Sequence, residues 1–210
     1  MAIRLVELET PVGPGRASVE RPRGARGTIV LGHGAGGRGW SADLRAIAAA
    51  ATDAGWAVAL IDQPWRVAGR KVAASPATLD RAWEPMVRAL LTGRNKLPRP
   101  LVVAGRSAGA RVACRTAQTL DPIGVLAVSF PLHPPGRPGA SRAEELTLPL
   151  AQGRGLHVIQ GSADPFGTPG EVISHLPDAA YVSAVPGTHS LEGASVHVAA
   201  AALAWLESLG

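Results

Sequence analysis

The hydrophobic pattern of the chain changes character near its start and then settles into a repeat. Residues 3–8 alternate apolar and polar positions, as a strand with one wet face does. Residues 11–15 supply turn-forming Pro and Gly, and residues 17–20 can return as a second strand. Further on, short continuous apolar runs replace alternation, at residues 27–31, 56–61, 101–104, 123–130, 156–160 and 181–185. Runs of that kind suit strands covered on both faces. Helical periodicity separates them, at residues 42–54, 76–91, 106–119, 170–176 and 194–209. The first helix shows a Leu44, Ile47, Ala48, Ala51 face, and the second a Leu79, Trp83, Met86, Val87, Leu90 stripe. Ser41 and Ser75 are the expected N-caps, and Pro76 suits a first helical position, where no N–H is needed. Pro85 lies inside the second helix and predicts a kink or a break there.

Strands that alternate with helices predict an α/β fold. Its central sheet is mostly parallel, with helices on both faces, right-handed crossovers and an N-terminal antiparallel hairpin. No repeat or linker interrupts the pattern, so residues 1–210 read as one domain. Residues 131–138 form a Pro-rich loop, and only residues 129–155 separate two strands there, too little chain for a lid domain.

Composition narrows the class. Hydrophobic residues make up 46% of the chain while aromatics make up 4%, so Ala, Val and Leu must fill most of the core. The formal charge is +5, and Lys71 and Lys96 are the only lysines. A pI near 10.6 raises the question of nucleic acid. The arginines are scattered, however, with one short cluster at Arg21, Arg23 and Arg26 and no interleaved aromatics. Most of them read as solvated surface, and no nucleic-acid partner is expected. The lone Cys114 excludes an internal disulfide and a cysteine-based zinc cluster, and reads as a small buried hydrophobe. Glu7 and Glu9 break the first apolar run, so no signal peptide is expected, and no stretch is long enough to span a bilayer. A cytoplasmic protein without membrane attachment is the expectation.

The candidate chemistry centres on Gly105-Arg106-Ser107-Ala108-Gly109, where an apolar strand runs into a helix. That context suits a nucleophile elbow, a tight turn that lifts the serine hydroxyl clear of the strand. The backbone N–H of Ala108 then points into the start of the helix, where it can hold an oxyanion. In parallel sheets, ligands sit at the carboxyl ends of the strands. Three further stretches follow strands. Gly32-His33-Gly34-Ala35-Gly36-Gly37 can supply a second oxyanion donor, with Ala35 the expected one. Asp164, in residues 161–167, can orient a histidine, and His189, in residues 186–190, can take the proton of Ser107. Each has a plainer alternative. Asp164 precedes a proline and suits an ordinary turn, while Ser107 could sit in a glycine-rich connection. His33, Arg66, Arg70, Arg106 and His133 all fall near the same edge and are candidate substrate-binding residues. A guanidinium there could grip an anionic substrate, or brace the loops by bonding carbonyls and carboxylates.

The residues as a set resemble the α/β-hydrolase superfamily. More narrowly, they resemble the small lidless group related to dienelactone hydrolase, which includes a testis-expressed hydrolase-like protein and a subunit of the NSL chromatin complex. The oxyanion loop, the elbow and residues 161–167 and 187–190 carry the broad likeness. Trp65-Arg66-Val67-Ala68-Gly69-Arg70 and Phe130-Pro131-Leu132-His133-Pro134-Pro135-Gly136 carry the narrow one. The order Ser107, Asp164, His189 is that of an α/β-hydrolase triad. Dienelactone hydrolase itself carries a cysteine nucleophile, where this chain has Ser107. The resemblance implies hydrolysis of a small ester or thioester through an acyl-enzyme, with no metal or organic cofactor. A non-catalytic interaction module on the same fold is the alternative.

Overall fold

The computed structural model describes residues 3–36 and 39–209, and one eight-stranded sheet organises them. Gly37, the last residue quoted for the oxyanion loop, lies outside the described residues. At one edge β1 (Arg4–Leu8) and β2 (Gly15–Glu20) form the expected antiparallel hairpin, and β2 also runs antiparallel to β4 (Ala57–Asp62). From β4 inward every pairing is parallel, through β3 (Thr28–Gly32), β5 (Leu101–Arg106), β6 (Gly124–Val128), β7 (Gly155–Gly161) and β8 (Val182–Val185). The order across the sheet is β1-β2-β4-β3-β5-β6-β7-β8. The three central strands β3, β5 and β6 are buried almost end to end, which is why their sequences run apolar instead of alternating.

Two core layers follow. On one face α1 (Ala42–Asp53) and α7 (Ser195–Ser208) pack Leu44, Ile47 and Val198 against Ile29, Leu31 and Val102. On the other face lie α3 (Pro76–Leu90), α4 (Ala108–Leu120), α5 (Ala143–Ala151) and α6 (Pro169–Ile173), with Trp83, Met86 and Leu146 against Val30, Val103 and Phe130. A four-residue helix, α2 (Pro64–Val67), caps the end of β4. This is the α/β-hydrolase fold, with only a loop and α5 between β6 and β7. No helix among the described residues is long and apolar enough to cross a membrane.

Several local expectations need correction. Ser75 caps α3 by accepting the Thr78 N–H, but Ser41 makes no cap bond to α1. The neighbouring Asp43 takes the Leu44 N–H at 2.7 Å instead. Helix α3 runs without a break through Pro85, which sits on a partly exposed side of it. The carbonyl that loses its partner belongs to exposed Arg81 and can turn to water, while the buried stripe continues on both sides. Helices α2 and α5 were not legible: α2 is one turn, and α5 lacks a helical stripe and contains Pro149.

The arginines are less solvated than their scatter implied. Arg111 forms a bidentate pair with Glu145, and Arg115 forms another with Asp80 while also reaching Glu145 at 2.8 Å. This web ties α4 to α3 and α5.

His157 in β7 stacks on Trp205 and bonds Ser183 Oγ at 2.9 Å. Burial pushes its pKa from 6.5 down to about 4. The unfolded chain therefore binds a proton between those values that the folded chain does not. Stability is fully present above pH 6.5 and is lost as pH falls toward 4. At ~1.4 kcal/mol per pH unit the loss is about 3 kcal/mol. Urea midpoints measured across that range should fall with acid, and should fall less in His157→Gln.

Candidate active site

The carboxyl ends of the parallel strands meet at one edge. At the end of β5, Ser107 adopts φ 53° and ψ −112°, a left-handed turn conformation that costs strain in a non-glycine residue. The turn is possible only because both flanking glycines lack a side chain. A Cβ on Gly105 would stand 2.3 Å from the Gly109 carbonyl carbon, and one on Gly109 would stand 2.5 Å from the Gly32 oxygen. Strand β3, strand β5 and helix α4 can thus approach backbone to backbone.

Asp164 follows β7 and is almost completely buried, at 1% exposure. Its carboxylate accepts the Phe166 N–H at 2.9 Å and the Gln160 amide at 3.0 Å. His189 follows β8. Its Nδ1 lies 2.8 Å from Asp164 Oδ2, and its Nε2 lies 2.9 Å from Ser107 Oγ. The carboxylate can only accept, so Nδ1 carries the proton and Nε2 presents a lone pair to the serine hydroxyl. Phe166 packs on the imidazole with ring centroids 4.2 Å apart. The two loops are seated on each other: Ala163 N–H bonds Gly187 O, and a Cβ on Gly161 would clash with Thr188 O at 2.5 Å.

Ala35 and Ala108 line one small cavity of about 10 Å³ together with Gly34 and His33. The loop that carries Ala35 is held by His33. The Gln63 N–H donates to His33 Nε2, and the Nδ1–H then donates to Gly34 O at 2.8 Å. Burial drives the His33 pKa from 6.5 to about 4, so the ring is neutral at physiological pH. Both of its nitrogens are thus occupied within the protein.

The other tentative residues differ in what they touch. Arg106 places Nε 2.8 Å from buried Asp43 Oδ2, an ion pair without hydrogen-bond alignment, and donates Nη2 to the His189 carbonyl. Arg66 pairs with Asp62 at 3.4 Å and lies over the Trp40 ring, and burial lowers its pKa. His133 faces Pro134 O at 3.0 Å and the Glu171 carboxylate at 3.2 Å. Arg70 is exposed, and among the described residues its guanidinium has no ion pair or hydrogen bond. Cys114 is fully buried in α4, and burial pushes its thiol pKa up, which keeps it protonated. No three His, Cys, Asp or Glu side chains among the described residues are placed to share a metal ion.

Two residues of the site escaped sequence reasoning. Gln160 bonds Asp164, Gly167 O and both backbone groups of Phe130. A lone amide at the end of an apolar strand was its signal. Asp43, the buried partner of Arg106, had no signal beyond its place in a first helical turn.

A serine on a tight strand-to-helix turn of a central parallel strand, with a carboxylate and a histidine carried after later strands, matches the architecture of α/β hydrolases. A family model described as an alpha/beta hydrolase domain matches residues 25–199, and the chain belongs to that family. The fold is similar to that of an alpha-beta serine hydrolase homologue from Coxiella burnetii, at TM-score 0.78 and 15% identity over 98% of each chain. It is also similar to dienelactone hydrolase from Anabaena variabilis, at TM-score 0.75 and 19% identity over 99% of this chain and 97% of that one. A lidless α/β serine hydrolase from Xanthomonas campestris matches at TM-score 0.70 and 18% identity, over 99% and 95%. A search of the curated proteins found no match.

Proposed function

We propose that this protein is a serine hydrolase that cleaves a small ester or thioester through an acyl-enzyme. The observation that carries the reading is the unbroken hydrogen-bonded chain from Ser107 through His189 to Asp164, set on a strained elbow. Ser107 Oγ attacks the carbonyl carbon while its proton passes to His189 Nε2. The tetrahedral oxyanion is held by the N–H groups of Ala108 and Ala35. The carbonyl–leaving-group bond breaks, and His189 returns the proton to the departing oxygen or sulfur. Water then repeats the sequence, giving its proton to His189 and its hydroxyl to the acyl carbon, and Ser107 is restored. Asp164 keeps the ring in the tautomer this needs.

Within the family we assign the chain to the lidless dienelactone-hydrolase-related group, with its testis-expressed and NSL-subunit members. The segments at residues 65–70 and 130–136 support that assignment, as does the likeness in fold to a dienelactone hydrolase and a lidless hydrolase.

A fluorophosphonate probe tests the reading. Wild type should be labelled and should turn over p-nitrophenyl acetate, and Ser107→Ala should lose both. Labelling retained in Ser107→Ala would move the nucleophile elsewhere.

A further inference from the structure

Beside the site lies a cavity of about 420 Å³, within the size range of small-molecule pockets. Its walls are mostly apolar, from Val12 and Pro14 of the β1–β2 turn, Trp65 of α2 and Ala82 of α3, with Gln63 and Thr78 among them. Arg70 stands on its rim. Gln63 and Trp65 line both this cavity and the small one under Ala35 and Ala108. The cavity therefore lies at the same edge of the sheet as Ser107, beyond the end of β4, with Gln63 and Trp65 between it and the oxyanion loop.

The strand order says which half of the substrate belongs there. His189 and Asp164 arrive from β8 and β7, on one side of β5, while β3, β4 and β2 lie on the other. The leaving group must reach His189 Nε2 to collect its proton, so it occupies the β8 side. The acyl arm is left the opposite direction, past the oxyanion loop toward Gln63. Two strand spacings separate β5 from β4, so that arm crosses roughly 10 Å. At the far end it meets apolar walls and a guanidinium that no group of the described protein neutralises. Arg66, Arg106 and His133 each face internal partners, which leaves Arg70 as the unengaged cation of that set.

We infer that the cavity is the acyl-arm site, and that it takes a medium-length apolar acyl group ending in an anion, as in a half-ester or half-thioester of a dicarboxylic acid. The inference rests on the hydrolase reading above. Arg70 is its specificity-determining residue: it grips the distal carboxylate and touches none of the reacting atoms.

The test compares mono-p-nitrophenyl suberate with its methyl-capped diester and with p-nitrophenyl acetate. For wild type, kcat/KM should favour the charged half-ester over the capped one by about tenfold at low salt, and added salt should shrink the ratio. Arg70→Ala should bring the ratio close to one, through KM, and Arg70→Lys should keep part of it. Ala68→Phe, which fills the cavity from an exposed position, should lower the suberyl-to-acetyl ratio several-fold. Acetate turnover without charge preference, or a preference that survives Arg70→Ala, overturns this inference and leaves the hydrolase reading standing. Absence of both acetate turnover and fluorophosphonate labelling overturns the hydrolase reading and this inference with it.

Discussion

Asp164→Asn should keep the fold and lower kcat by about 10⁴. The reason lies in what surrounds the carboxylate. Phe166 N–H and the Gln160 amide both donate to it, and His189 Nδ1 faces it at 2.8 Å. An amide in that place must point its NH₂ at one of these groups. Turned to the ring, it stabilises the tautomer with the proton on Nε2, which cannot accept from Ser107. Turned to Phe166 or Gln160, it sets donor against donor in a buried site. The measurement is steady-state kcat alongside a melting curve. A near-normal kcat would assign the orienting role to another carboxylate.

The second large effect is expected at Arg106. Arg106→Ala leaves the Asp43 carboxylate, 1% exposed, without its counter-charge. Removing one partner of such a buried pair costs about 3–5 kcal/mol. For a chain of this length that corresponds to a fall in melting temperature of roughly 10 °C. The same variant removes the donor from the His189 carbonyl, so kcat should fall as well, by about tenfold. The double variant Arg106→Ala/Asp43→Asn separates the two roles. It should recover much of the stability, because the unpaired charge is gone, and little of the kcat. Recovery of both would reduce Arg106 to a partner for Asp43.

Much of this architecture could be read directly. The central strands were legible because burial on both faces forces continuous apolar runs, and the helices α1, α3 and α4 because each buries one stripe. Ser107, Asp164 and His189 stood out because each follows a strand at the same edge. What stayed hidden has a common cause: it depends on partners remote in sequence. The charges of Arg111 and Arg115 look solvated until α5 brings Glu145 beside them. The buried role of Asp43 exists only once Arg106 reaches it across the fold. The cavity beside Trp65 forms between a hairpin turn, a one-turn helix and α3, none of which marks a pocket in its own residues.

The bond from His189 Nε2 to Ser107 Oγ joins residues 82 positions apart, and among the described residues the strand that delivers His189 pairs with β7 alone, at the rim of the sheet. Closing so long a loop is rewarded only after the intervening strands β6 and β7 have docked. The imidazole beside Ser107 is therefore in place only when β8 is. A chain that lacks β8 has the β5–α4 turn but no imidazole to accept from the Ser107 hydroxyl. On the mechanism we propose, reactivity toward a fluorophosphonate is therefore expected to report completion of the sheet.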